Sequence, residues 1–301
     1  VTAALPEVPA VACFDTAFHA SIPAAAATYA LPQEWRRRWD LRRFGFHGLS
    51  HAYASRRAAE LLGRDPIGLR VVTCHLGAGA SLAAVRDGRS VDTTMGFTPL
   101  EGLVMATRSG SVDPGLVLWL EEHAGTPAAE LAATLEHRSG LLGLAGTPDM
   151  REVLARESAG DATAALAVQV YLHRLRGSIA AMAAAMDGLD ALVFTGGVGE
   201  NSAEIRSRAA AGLGFLGVTL DPARNDPAAE RGGRTGDGAA AAGGAPTTDA
   251  VTAAEPGADR EIGSPAASTR TLVVHTREDL EIARQVRAAL ASTGPTGNPI
   301  G

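Results

Sequence analysis

Several residues of this chain stand where they could handle a phosphate. Two apolar, strand-like runs end in small-residue turns. Arg70–His75 leads into Gly77-Ala78-Gly79, and Ala191–Thr195 leads into Gly196-Gly197-Val198-Gly199-Glu200-Asn201, with a helix expected from near Ser202. Glycine lets a ligand approach the backbone, and N–H groups left open at such a turn can point at an anion. One arginine, Arg108, lies in the polar loop Asp92–Pro114, beside Thr107, Ser109, Gly110 and Asp113. His47 sits between glycines in FGFHGLSH, Phe44–His51, with room to face a cleft. Asp15 closes the apolar run Val8–Phe14, read as a strand. A carboxylate there is costly unless a metal, a hydroxyl or backbone donors use it.

This set fits phosphoryl transfer, which asks for cationic clamps, a divalent metal and alignment more than for a protein nucleophile. An arginine fork suits the oxygens of a phosphoryl group. The turn after Thr195 is neither GxGxxG nor GxxxxGK[ST], so a Rossmann dinucleotide site and a P-loop are not supported. No GxSxG elbow and no CxxC pair occur. His47 and His51 could share a helix face, but nothing nearby completes a zinc site. Blander readings stand beside these. Asp15 could cap the turn that follows it, and Asp149 could cap the helix opening at Met150.

The positioning elements alternate strand and helix. Arg70–His75 and Ser81–Val85 read as a strand and its return, with Asp87-Gly88 as a hairpin signal. His51–Leu62, Leu116–Ala124, Ala128–Arg138 and Ala162–Met186 read as helices, and Ser139–Thr147 as a glycine-rich loop. Leu272–His275 reads as a last strand and Glu278–Leu290 as a terminal helix. Asp221–Ala267 is rich in Ala, Gly, Pro and Asp without apolar periodicity and reads as a disordered insertion.

The 301 residues carry a formal net charge of -6, which argues against nucleic acid and polyanionic membrane as partners. The basic run within Trp35–Phe44 then reads as a solvated face or subunit contact. Cys13 and Cys74, in apolar runs, read as buried free thiols. There is no secretory leader pattern and no apolar run of about 18 residues, so the expected setting is cytoplasmic.

These motifs resemble the acetate kinase family, acetate and butyrate kinases of the acetate and sugar kinase, heat-shock ATPase and actin superfamily. The resembling segments are FDTAFH (Phe14–His19), GFHGLSH (Gly45–His51), VTCHLGAGASL (Val72–Leu82), DTTMGFTPLEGLVMATRSGSVDPG (Asp92–Gly115), GLLGLAG (Gly140–Gly146), DMR (Asp149–Arg151), LVFTGGVGENSAEIR (Leu192–Arg206) and HTREDLEIAR (His275–Arg284). The resemblance implies an α/β fold of the ribonuclease H-like type, a mixed sheet flanked by helices. It implies reversible phosphoryl transfer between ATP and acetate, giving ADP and acetyl phosphate, with Mg2+ and in a homodimer. Asp15, His47 and Arg108 match the catalytic residues. His75, Leu76, Gly77, Ala78 and Gly79, then Asp149, Met150 and Arg151, then Gly196, Gly197, Val198, Gly199 and Glu200 match the ATP-contacting segments. Glu278 matches the glutamate associated with magnesium. Ala78 stands where the family has asparagine, removing a side-chain donor. The chain reads as starting late, without the family's N-terminal third. Residues 1–16 would then be a remnant of a first domain, 17–277 a nucleotide-side domain and 278–301 a returning helix and tail. That reading keeps open a nucleotide-binding remnant without kinase activity, or a kinase for a longer short-chain acid.

Overall fold

The two strands that end in glycine turns lie side by side. The computed structural model describes residues 8–226 and 258–292. Its sheet contains β1 (Arg70–Leu76), β2 (Ala80–Arg86), β3 (Arg89–Thr93), β4 (Ala191–Thr195), β5 (Arg260–Glu261) and β6 (Arg270–Val273), in the order β3-β2-β1-β4-β6-β5. β1 turns back antiparallel into β2 and then β3, while β4 and β6 run parallel to β1. The register sets Cys74 opposite Phe194 and His75 opposite Thr195, so both turns emerge at the same edge. In α/β sheets this is the edge where ligands gather.

β1 and β4 read as continuous apolar runs because both faces of the sheet are covered. On one face, Val71, Val193 and Leu272 pack under Tyr53, Ala54 and Ala58 of α1 (Gly48–Leu61). On the other, Val72, Cys74, Leu192 and Phe194 meet residues of α2 (Met150–Ser158) and α3 (Ala162–Ala184). α4 (Gly196–Asn201) and α5 (Ala203–Ala211) follow β4, and α6 (Glu278–Ser292) follows β6.

Several boundaries differ from the sequence reading. Val8–Phe14 forms no strand, and Phe14 is 68% exposed. Cys13 is accordingly only partly buried, whereas Cys74 is fully buried and burial pushes its thiol up. The expected loop Ser139–Thr147 contains a helical turn, Gly140–Ala145. The helix after β4 starts at Gly196 itself, and Ser202 instead caps α5 by accepting from Ile205 N. The stretch read as an insertion is structured at its described ends. Asp221 caps the turn Pro222–Asn225, and Ile262 is fully buried. Residues 227–257, within that stretch, lie outside the described residues. Arg43 of the basic run pairs with Glu101 at 2.7 Å and donates to the carbonyls of Thr94 and Met95.

The last helix is held against α1. Glu281, fully buried, accepts from Arg56 at 2.8 Å and also from Arg284 and Gln285. Burial pushes its carboxyl up, but those hydrogen bonds outweigh it and hold the group below its ordinary value. A carboxylate depressed on folding adds stability above its unfolded pKa and loses it as pH falls. Glu281→Gln is therefore expected to lower unfolding free energy by about 1–3 kcal/mol near neutral pH. In urea titrations the deficit should shrink once the pH falls below the ordinary glutamate range. An unchanged midpoint at neutral pH would mean that α6 is docked by its apolar contacts alone.

Candidate active site

Asp15 reaches the start of α1 from outside it. Its Oδ2 accepts from His47 N at 2.6 Å and its Oδ1 from Leu49 N at 3.3 Å. The carboxylate thus caps a helix, though α1 rather than the turn that follows Asp15. His47 occupies the left-handed region at φ 55°, which turns the chain into α1. Gly48 is required next to it, because a Cβ there would lie 2.2 Å from the Asp15 carbonyl oxygen.

His47 and Arg108 converge on Gly79. A methyl group on Gly79 would lie 3.1 Å from His47 Nε2 and 3.5 Å from Arg108 Nη2. The absence of a side chain at Gly79 therefore keeps the space in front of both groups open. Arg108 is held by Nη1 donating to Pro99 O at 2.8 Å. His47 Nδ1 bonds Ser81 Oγ at 2.9 Å, and its ring stacks on His75 with centroids 4.4 Å apart. His75 Nδ1 in turn bonds Ser50 Oγ at 2.8 Å. Burial lowers the pKa of His47, with Asp15 opposing and Arg108 adding to the effect.

The two turns close on each other. A methyl group on Gly77 would lie 3.3 Å from Gly79 O and 3.8 Å from Gly197 N. Beyond them opens a cavity of about 750 Å³, whose lining includes Gly77, Ala78, Asp149, Met150, Arg151, Gly197 and Val198. Three segments far apart in sequence therefore meet around one space large enough for a nucleotide. Asp149 caps α2 through Arg151 N and pairs with the exposed Arg151 side chain at 2.6 Å, which pulls its carboxyl down to about 2.

Other expected contact residues are placed differently. Leu76 buries its side chain in the core, and Gly196 and Gly199 are buried in the turn; Met150 is buried too but reaches the cavity wall. Glu200 is a clamp: its Oε1 accepts from Gly196 N at 2.9 Å and from Thr276 N and Oγ1 at 2.9 and 2.8 Å. This ties the second turn to the segment that leads into Glu278. Glu278 is half-buried, and its carboxyl is pushed up by burial and then by the charge of Asp15. The two carboxylates are close enough for one to feel the other's charge. Among the described residues no group of three or more His, Cys, Asp or Glu could hold a metal ion. The sequence reading missed Ser50, Ser81 and Thr276. Ser81 carried the signal of its place straight after the first turn, and Thr276 only that of lying within the family-like segment His275–Arg284.

The chain is similar to proteins of one family. The pattern that defines the Acetokinase family matches residues 1–239. The chain belongs to that family. It is 48% identical over 281 residues to an acetate kinase of Gloeobacter violaceus, covering 93% of this chain and 62% of that protein. An acetate kinase of Pseudothermotoga lettingae is 43% identical over 289 residues, covering 96% and 64%. In structure, the chain is similar to Porphyromonas gingivalis acetate kinase with a TM-score of 0.80 at 37% identity, over 92% of this chain and 63% of that one. A propionate kinase from Francisella tularensis subsp. tularensis gives 0.80 at 37%, over 94% and 65%. The fold is accordingly the α/β, ribonuclease H-like type with a mixed sheet flanked by helices. The chain spans less than two thirds of the length of these relatives. One expectation is corrected by the alignments. The family match starts at residue 1 and stops at residue 239, so the unmatched part of this chain is C-terminal, and the reading of a missing N-terminal third is withdrawn.

The histidines make the site sensitive to acid. Burial lowers His19 and His75 to about 4 and His51 well below its ordinary value. A histidine depressed on folding leaves the unfolded chain to bind protons first. Stability is then full above about pH 6.5 and falls as the pH drops toward 4. His19 and His75 should each remove about 2 kcal/mol by pH 5. Urea unfolding at pH 7.5, 6 and 5 checks this; a flat profile would mean that the rings accept protons in the folded state.

Proposed function

We propose that this chain transfers a phosphoryl group reversibly between ATP and the carboxylate of acetate, giving ADP and acetyl phosphate. The observation that carries the reading is the convergence of His47 Nε2 and Arg108 Nη2 on Gly79. They stand beside a cavity of nucleotide size and near a pair of carboxylates. A phosphoryl group passing between two oxygens spreads negative charge over its three equatorial oxygens, and fixed donors there lower the barrier. In this reading Arg108 and His47 hold those oxygens, and the ATP phosphates take backbone N–H groups of the two turns other than Gly77 N, which donates to Gly79 O, and Gly196 N, which donates to Glu200. Asp149, Met150 and Arg151 line the nucleotide's side of the cavity. Asp15 and Glu278 would hold Mg2+, which supplies neutralising charge to the phosphates when bound. Ala78 offers no side-chain donor at the first turn, and its carbonyl is used by Ala106 N at 3.1 Å.

A longer short-chain acid is a second reading, because the similarity to a solved propionate kinase equals that to a solved acetate kinase. A homodimer in the cytoplasm completes the proposal. It is supported by the helix Pro114–Ala124, which buries none of its residues and leaves Leu116, Leu118 and Trp119 about half exposed. Among the described residues no helix is long and apolar enough to cross a membrane.

Trapping acyl phosphate with hydroxylamine tests the reaction on the 301-residue chain with ATP, Mg2+ and acetate or propionate. Arg108→Ala is expected to lower kcat by roughly 10²–10³-fold, the loss of one transition-state donor, while ATP still binds. Wild-type turnover in that variant would remove Arg108 from the chemistry. Nucleotide binding without acyl phosphate from the unaltered chain would leave a binding protein in place of a kinase.

A further inference from the structure

Behind His47 lies a run of hydrogen bonds that the roles above do not use. Thr73 Oγ1 bonds His51 Nδ1 at 2.7 Å, His51 Nε2 bonds Ser81 Oγ at 2.7 Å, and Ser81 Oγ bonds His47 Nδ1 at 2.9 Å. Thr73, His51 and Ser81 are fully buried, so water does not complete their bonding. A neutral imidazole carries one N–H and each hydroxyl carries one O–H. If Ser81 accepted from both rings its buried O–H would have no acceptor, so the run points one way throughout.

Its direction is set at the far end. The Thr73 hydroxyl has two acceptors, His51 Nδ1 at 2.7 Å and Ala83 O at 3.5 Å. The second distance is at the limit of a hydrogen bond, and a buried donor spent on it would be nearly wasted. Thr73 therefore donates to His51 Nδ1. The His51 proton then sits on Nε2 and goes to Ser81, and Ser81 donates to His47 Nδ1. The His47 proton is left on Nε2, the nitrogen that faces Gly79 beside Arg108.

We propose that Thr73, His51 and Ser81 are positioning residues that fix His47 as the Nε2–H tautomer, so that its neutral ring presents a donor to the cleft. The opposite order would place a lone pair there, which cannot hold a phosphoryl oxygen. The neighbouring rings of His19 and His75, with centroids 5.7 and 6.4 Å from that of His51, pack around the run without joining it. Burial favours the neutral form of His51, which the run requires. The consequence for catalysis rests on the proposed role of His47; the tautomer does not.

The test is histidine-selective 1H–15N correlation spectroscopy on the 301-residue chain at pH 7.5, with His47 assigned by its loss in His47→Gln. The expected spectrum shows a pyrrole-type Nε2 and a hydrogen-bonded, pyridine-type Nδ1. A protonated Nδ1 in the unaltered chain overturns the proposal, whatever the variants do. Ser81→Ala should shift the Nδ1 resonance toward that of a nitrogen without a donor. It should also lower kcat by roughly 10- to 1000-fold, the upper end being loss of a whole transition-state donor. KM for ATP should change little, as expected for a contact used mainly in the transition state. Ser81→Thr, which keeps the hydroxyl, should recover the resonance. Unchanged His47 signals in Ser81→Ala also overturn the proposal. An Nε2–H tautomer in a chain that forms no acyl phosphate would retire the kinase reading and leave this one standing.

Discussion

The site depends on one pairing, the parallel register of β1 against β4 that sets His75 opposite Thr195. Two strands more than a hundred residues apart in sequence stop at the same level, so their turns face each other. Shifting that register by one residue would reverse which side chains meet each core and separate the turns. Both faces are apolar and covered, so such a slip is strongly opposed. The strength of the sheet is therefore also the precision of the site. The loops that carry Arg108 and Asp149 need only arrive at an edge that already exists.

Around that edge the chain hides polar groups that would be expensive alone. His19 takes Ser90 and the Phe46 carbonyl, His75 takes Ser50, and His51 takes Thr73 and Ser81. Burial favours the neutral form of each ring, and hydroxyls or a carbonyl bond its nitrogens, both in His19 and His51 and Nδ1 in His75. Rigid neutral rings can hold hydrogen-bond donors and acceptors in fixed directions. Asp15 serves the same economy: two backbone amides at the start of α1 hold a carboxylate whose charge is felt at Glu278.

Much of this was legible in the sequence. β1, β2, β4 and both turns follow from apolar runs ended by small residues. His47 and Arg108 stood out because each is an isolated cation-forming residue in a glycine-rich or polar loop. Other features could not be read. Val8–Phe14 has strand composition but no strand pairs with it, and pairing is not written in composition. Glu200 looked like part of a phosphate turn, yet it clamps Thr276, because its partners come from a segment 76 residues away. Ser81 looked like an ordinary strand residue, and only the folded packing sets it between two imidazoles. Glu281 reads as a solvated first-turn acid until Arg56 is brought across from α1.

The central claim is that nucleotide phosphates, a divalent ion and His47 meet at the shared edge of β1 and β4. Substituting Mn2+ for Mg2+ tests it directly, since a paramagnetic ion broadens nearby resonances. Sub-stoichiometric Mn2+ with ADP should broaden the ring protons of His47 and His75 and leave those of His123, on the exposed helix Pro114–Ala124, sharp. Equal broadening of His123, or sharp His47 and His75 at saturating nucleotide, would contradict the account.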